Sequence, residues 1–280
     1  MRIVESIARM QQLTRSLPRP VVLVPTMGAL HEGHLALVDH AKKLVGRKGS
    51  TVVTIFVNPP QFGPREDYRK YPRPFKRDCL LLQNRGCDLV FAPTAANMYK
   101  PDASVTVMES QLQTVMCGAS RPGHFVGVCT VVTKLFHLAQ PDIAIFGEKD
   151  FQQLTILRRM VRDLNFPVRI VARPIVREPD GLALSSRNVF LSAEERQQAP
   201  LIHQALRDAE NKLRLQSVSL RALENLIRRR IERASRAKVD YVAVVDPDTL
   251  KAKEPRNLPV LLAAAVFFGS TRLIDNVLVK

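Results

Sequence analysis

The chain has 280 residues, 46% of them hydrophobic, which suffices for one large domain or two modest ones around a true core. No apolar run reaches the roughly 18 residues a membrane span needs, and no apolar leader opens the chain, so a cytoplasmic protein without a membrane partner is expected. A net charge of +16 raises nucleic acid as a partner, yet Trp is absent and aromatics are only 6%, so no base-stacking platform is evident.

The densest basic stretch, Arg228 to Arg230 with Arg233, Arg236 and Lys238, has helical apolar spacing and contains Glu224 and Glu232. It reads as a solvated helix face, and nucleic acid is not expected as a partner. Cys79, Cys87, Cys117 and Cys129 form no Cys-x-x-Cys pair and lie mostly among apolar neighbours, as reduced, buried thiols do.

In chain order, Ile3 to Leu17 predicts an amphipathic helix ended by Pro18 and Pro20. Val21 to Val24 predicts a buried strand, and Leu35 to Val45 a helix. Between them lies Pro25-Thr26-Met27-Gly28-Ala29-Leu30-His31-Glu32-Gly33-His34, a Gly-bearing turn with two histidines at a strand-to-helix junction. In open α/β sheets ligands bind there, and the free N–H groups of a helix start favour anions. The β-branched run Thr51 to Val57 predicts a second, parallel strand, and the stiff loop Asn58-Pro59-Pro60-Gln61 leaves its carboxyl end.

A helix over Phe75–Asn84 capped by Gly86, a strand over Asp88–Phe91 and a short edge strand over Ser104–Met108 are expected next. Arg121 and His124 precede a helix over Val128–Ala139. The strand Asp142–Phe146 runs into Gly147-Glu148-Lys149-Asp150 and a helix over Phe151–Leu164, and Val168–Ala172 is a further strand. About five strands alternating with helices make a Rossmann-like, doubly wound parallel sheet over residues 1–175. From about residue 176 a smaller α+β domain follows. It has long helical segments over Ala193–Leu215 and Ser219–Arg236, a Ser192/Glu195 capping box, and strands over Tyr241–Val245, Val260–Phe268 and Arg272–Leu278.

His31 and His34 are three residues apart with Gly33 between, which differs from the zinc-protease pattern of histidines four apart on a helix. They suit a nucleotide phosphate site of the His-x-Gly-His kind, where donors follow charge at the α-phosphate as pyrophosphate leaves. Lys149 and Arg187 suit pyrophosphate, Ser185 and Ser186 further phosphate oxygens, and Gln61 and Gln153 an acid bearing hydroxyls. A plain nucleotidylyltransferase would share this geometry but want more cations at its acceptor site.

Pro25 to His34, Phe56-Val57-Asn58-Pro59-x-Gln61-Phe62, Gly147 to Gln153, Ser185-Ser186-Arg187-Asn188 and Val244-Val245-Asp246-Pro247 together resemble the pantoate–β-alanine ligase (pantothenate synthetase) family over nearly the whole chain. The resemblance implies a nucleotidylyltransferase-type fold and a two-step reaction with ATP, pantoate and β-alanine through a pantoyl adenylate. It implies a homodimer that uses Mg²⁺, with Asp150 as the candidate metal ligand.

By the same resemblance, Met27, Gly28, Ala29, Leu30, His31, Glu32, Gly33 and His34 line the ATP site, with His34 as the family's proton donor. Gly147, Glu148, Lys149, Asp150, the backbone at Val176, and Leu184, Ser185, Ser186 and Arg187 would also contact ATP. Asn58, Gln61, His124 and Gln153 would hold pantoate, and Gln61 would border β-alanine. The Ser-Ser-Arg segment would close over the site, similar in role to the Lys-Met-Ser-Lys-Ser loop of class I aminoacyl-tRNA synthetases. Pro60 and Leu184 depart from the residues the family often carries there, and the net charge exceeds what the family leads one to expect.

Overall fold

Short parallel strands rich in Val, Ile and Thr, each followed by a helix, open the computed structural model, which describes residues 1–64 and 66–280. The elements in order are β1 (Arg2–Val4), α1 (Ile7–Thr14), β2 (Val21–Thr26), α2 (Glu32–Val45), β3 (Ser50–Ile55), α3 (Phe75–Asn84), β4 (Leu89–Phe91), α4 (Ala95–Met98), α5 (Met116–Ser120), α6 (His124–Ala139), β5 (Ile143–Gly147), α7 (Phe151–Asp163) and β6 (Arg169–Arg173). After them come α8 (Ala193–Gln198), α9 (Leu201–Leu215), α10 (Leu220–Ile231), β7 (Ala237–Val245), β8 (Val260–Phe268) and β9 (Thr271–Val279).

The chain divides into two compact units. The first comprises Met1–Gln111, Arg121–Glu148 and Ile156–Pro174; the second comprises Leu112–Ser120, Lys149–Thr155 and Ile175–Lys280.

The first unit holds one sheet in the order β1-β4-β3-β2-β5-β6, with every neighbouring pair parallel. Val21 to Val24 of β2 and Val52 and Val53 of β3 are wholly buried, which explains why these strands read as unbroken apolar runs. Leu35, Val38, Ala41 and Val45 of α2 pack on Val22, Val24, Val53, Val90 and Ile145, at roughly 1.5–3 kcal/mol for each large side chain removed from water. Strand order reverses between β2 and β5. Because the strands are parallel, the loops after β2, β3 and β5 leave one carboxyl edge of the sheet, and the reversal makes its switch point there.

The second unit is built on the antiparallel sheet β7-β8-β9. Ile202, Ala205, Leu206 and Ala209 of α9 and Leu223, Ile227 and Ile231 of α10 form single stripes of helical spacing, packed in one core with Leu262, Ala264, Val266 and Phe268 of β8. The Ser192/Glu195 capping box starts α8. The basic run lies at the end of α10, where Arg230 pairs with Asp208 at 3.1 Å and Arg228 reaches Glu232 at 3.8 Å.

Four expectations are corrected. Residues 2–4 form β1, paired with Leu89–Phe91, and the helix expected from Ile3 is only Ile7–Thr14. The sheet therefore has six strands where about five were counted. Ser104–Met108 alternates but joins no sheet; the Val107 N–H donates to Thr130 Oγ1 instead. The helix expected over Ala193–Leu215 is broken at Ala199–Pro200, since a proline cannot continue the ladder. Among the described residues no helix is long and apolar enough to cross a membrane.

Candidate active site

The turn after β2 is held in an unusual backbone shape. Gly28 has φ +77° and Ala29 φ +50°, and a side chain on Ala29 makes the left-handed conformation costly. Asp78, from α3 and wholly buried, braces it: Oδ2 accepts the Ala29 N–H at 2.8 Å and Oδ1 the Leu30 N–H at 2.9 Å. Burial pushes the Asp78 carboxyl above its ordinary range, and the two N–H donors pull it part of the way back. The Thr26 hydroxyl donates to Thr54 O at 2.6 Å and accepts the Gly28 N–H, tying the turn to β3.

His31 is then the N-cap of α2, and Glu32, Gly33 and His34 fill its first turn. The two imidazole rings lie with centroids 4.1 Å apart, tilted by 34°. Both sit at the positive end of the helix dipole, where an anion is favoured. Glu32 lies outward and pairs with Arg85 at 3.0 Å.

The loop after β3 becomes a 3₁₀ turn, Pro59–Gln61. Gln61 Nε2 donates to Met27 Sδ at 3.0 Å, so the acid-binding candidate touches the histidine turn. Asn58 is buried and fully engaged. Its amide donates to Gln61 Oε1 at 3.1 Å and to Gly127 O at 3.0 Å, and its carbonyl accepts the Tyr99 hydroxyl at 2.6 Å. Asn58 is thus bonded to the side chain of Gln61.

His124, at the start of α6, faces Gln61 O with Nδ1 at 2.7 Å and Arg121 Nη1 with Nε2 at 3.1 Å. An arginine can only donate, so Nε2 accepts and Nδ1 carries the hydrogen given to Gln61. Arg121 also forks onto Glu66 at 2.7 and 2.5 Å. Burial alone would raise the Glu66 carboxyl, but the Arg121 hydrogen bond and charge hold it below its ordinary value. Gly147 ends β5 on the same sheet edge; a Cβ built there meets nothing within 4 Å, and Glu148 opens the following 3₁₀ turn.

In the second unit, Lys149 precedes α7, its ammonium 3.8 Å from the half-exposed Asp150 carboxylate. Its backbone carbonyl accepts Asn276 Nδ2 at 3.0 Å. Gln153 is half-buried on α7, while its neighbour Gln152 is buried and bonds to Leu112 O, Val115 O and Cys117 N. Val176 O accepts the Leu184 N–H at 3.0 Å, closing a hairpin over 176–184. Ser185 caps a 3₁₀ turn, Ser186–Phe190, by accepting the Arg187 N–H at 3.2 Å, and Asn188 Nδ2 ties the turn to Ala183 O.

The pantoate-beta-alanine ligase family description matches residues 2–278. The chain belongs to the pantoate–β-alanine ligase family. It is 49% identical over 279 residues to the pantothenate synthetase of Thermotoga petrophila and 50% over 280 to that of Thermotoga neapolitana, in each case covering 99% of both chains. Among solved structures, a pantothenate synthetase of Thermus thermophilus matches with TM-score 0.93 and 46% identity, covering 100% of both chains. A Francisella tularensis pantoate–β-alanine ligase, complexed with beta-gamma ATP and β-alanine, matches with TM-score 0.82 and 32% identity over 99% of this chain and 97% of that one.

As a ligase of this family, the chain carries supports that motif reading passed over: Asp78, Tyr99, Gly127 and Asn276. None belongs to a recognisable local pattern. Each acts on a group far away in the chain, as Asp78 does on Ala29 across 49 residues. A buried carboxylate on an amphipathic helix is the one sequence signal that could have pointed to Asp78.

Proposed function

We propose that this chain condenses pantoate with β-alanine to give pantothenate, consuming ATP through a pantoyl adenylate and releasing AMP and pyrophosphate. The supporting observation is the adjacent His31–His34 imidazole pair at the start of α2 with the braced Gln61 amide touching Met27 of the same turn. In the first step a carboxylate oxygen of pantoate attacks the α-phosphorus. A new P–O bond forms, the bond to the bridging oxygen breaks, and pyrophosphate leaves with its electrons. The carboxylate is already ionised, so no general base is required. Negative charge grows on the α-phosphate oxygens, where His31, His34 and the helix dipole act as fixed donors worth about 3 kcal/mol for one well-placed group.

Met27 to Leu30, Gly147, Glu148 and the backbone at Val176 and Leu184 would pack the nucleotide. Lys149, Ser185, Ser186 and Arg187 would hold the departing pyrophosphate. Gln61 and Gln153 would hold pantoate through its hydroxyls and carboxylate. In the second step the β-alanine amine, bordering Gln61, attacks the acyl carbon. A C–N bond forms, the C–O bond to AMP breaks, and the amine sheds a proton.

Among the described residues no group of three or more His, Cys, Asp or Glu could hold a metal ion. Mg²⁺ commonly takes one or two carboxylates with substrate phosphates, and the half-exposed Asp150 fits that need. When bound, Mg²⁺ supplies charge neutralisation on the phosphate oxygens. The same reading has the chain working in the cytoplasm as a homodimer.

The test supplies ATP and pantoate with or without β-alanine. AMP and pantothenate should appear together only when β-alanine is present, and labelled pyrophosphate should exchange into ATP only when pantoate is. Formation of ADP, or nucleotide transfer to a phosphate acceptor, would overturn the reading.

A further inference from the structure

Adjacent residues of a strand point to opposite faces of its sheet, so one strand can grip two separate elements. β9 does this with Asp275 and Asn276, both buried. Asp275 lies on the face that carries Leu273 and Val279 into the core. There it takes the Arg177 guanidinium in a fork, at 2.6 and 2.9 Å. Arg177 sits at the base of the hairpin over 176–184, donates to Gly181 O at 3.0 Å, and bridges to Ala183. Ala183 leads directly into Leu184 to Arg187, and its carbonyl is held by Asn188.

Asn276, on the opposite face, donates its amide to Lys149 O at 3.0 Å. Its neighbours Val277 and Leu278 are apolar, and a buried amide in such a strand is warranted only by the groups it satisfies. Gln152 steadies the same α7 start from another side, accepting the Cys117 N–H at 3.0 Å. Two segments well separated along the chain are thereby referred to one rigid dipeptide.

We infer that Asp275 and Asn276 are positioning residues, and that together they set the spacing between Lys149 and the Ser185–Arg187 segment so that both can grip one pyrophosphate group. The inference rests on the reading of Lys149 and Arg187 as pyrophosphate contacts. A geometry fixed in advance matters because displacement of a contact by about 1 Å can cost up to a hundredfold.

Inorganic pyrophosphate is the probe, titrated calorimetrically against the full chain, with melting temperatures recorded in parallel. Asn276→Ala should weaken pyrophosphate binding about tenfold in the parent chain but add almost nothing in a Lys149→Ala background, because coupled residues are not additive. In that background the backbone contact is still lost while no amine remains to be misplaced, so a merely structural role would weaken binding equally in both. Equal losses, or parent-like binding by Asn276→Ala, would overturn the inference. Parent-like binding by Lys149→Ala would overturn it through the underlying reading instead. Asp275→Asn provides the second arm: its loss should be absent when Arg187→Ala is also present, and persistence of that loss would refute the hairpin half. Failure of the condensation itself would show separately, in the β-alanine assay.

Discussion

The Tyr99 hydroxyl donates a 2.6 Å hydrogen bond to the carbonyl oxygen of Asn58. That bond fixes which way the Asn58 amide points, and so where its hydrogens meet Gln61 and Gly127. Burial pushes the Tyr99 phenol up to about 12, so it remains a donor at any ordinary assay pH. Tyr99→Phe should raise KM for pantoate about fivefold, the worth of one ordinary hydrogen bond, with KM for ATP unchanged. Steady-state titration of each substrate checks this, and a change confined to ATP would refute the assignment.

His34→Ala should leave the circular dichroism spectrum intact while slowing adenylate formation at least about a hundredfold, the usual cost of losing a donor at a developing negative charge. Single-turnover quench-flow with ATP and pantoate reads the step directly. A near-normal rate would mean that the paired histidines only shape the turn.

Gly127 sits inside α6 with a built Cβ only 2.6 Å from the backbone of Pro60 and Gln61. Gly to Ala in a helix interior ordinarily gains up to about 1 kcal/mol. Here the methyl meets backbone that must shift, at a cost of about 1–3 kcal/mol. The clash should win: Gly127→Ala should melt lower and bind pantoate more weakly, as thermal unfolding and the pantoate KM would report.

Strands β2, β3, β5 and β8 were legible because burial on both faces writes itself as an apolar, β-branched run. The His-Gly turn was legible because it follows such a run. β1 was not: three residues at a sheet edge, with Ile3 49% exposed, carry too little pattern to outweigh the helical spacing that follows. Ser104–Met108 shows the converse, since alternation proposes a strand but only a partner makes one. In the candidate site the proposed ligand groups come from motifs. Asp78, Tyr99 and Asn276 do not, because a hydrogen bond between residues far apart in the chain leaves no local trace.

Asp246, in the Val-Val-Asp-Pro segment, accepts the backbone N–H groups of Asp248 and Thr249 and pairs with Lys253 at 2.9 Å. Burial would raise its carboxyl, but the Lys253 and backbone donors win and hold it at about 2. A depressed acid stabilises the fold above its unfolded value near 3.8, and the benefit is lost as pH falls toward 2. Asp246→Asn should therefore cost about 1 kcal/mol at pH 7, after solvent screening, with the gap to the parent narrowing below about pH 4. Urea denaturation between about pH 7 and pH 3 checks the sign; a gap that widens in acid would refute it.

The second compact unit draws Leu112–Ser120 and Lys149–Thr155 out of the stretch before Ile175. A gene cut just before Ile175 would strip it of Gln152, of Cys117 and of the backbone carbonyl that Asn276 grips. Neither unit is therefore a transferable cassette. Swapping the C-terminal stretch between relatives would graft a new β9 onto the old α5 and α7 start, and chimeras should succeed only when those two short excursions travel with it.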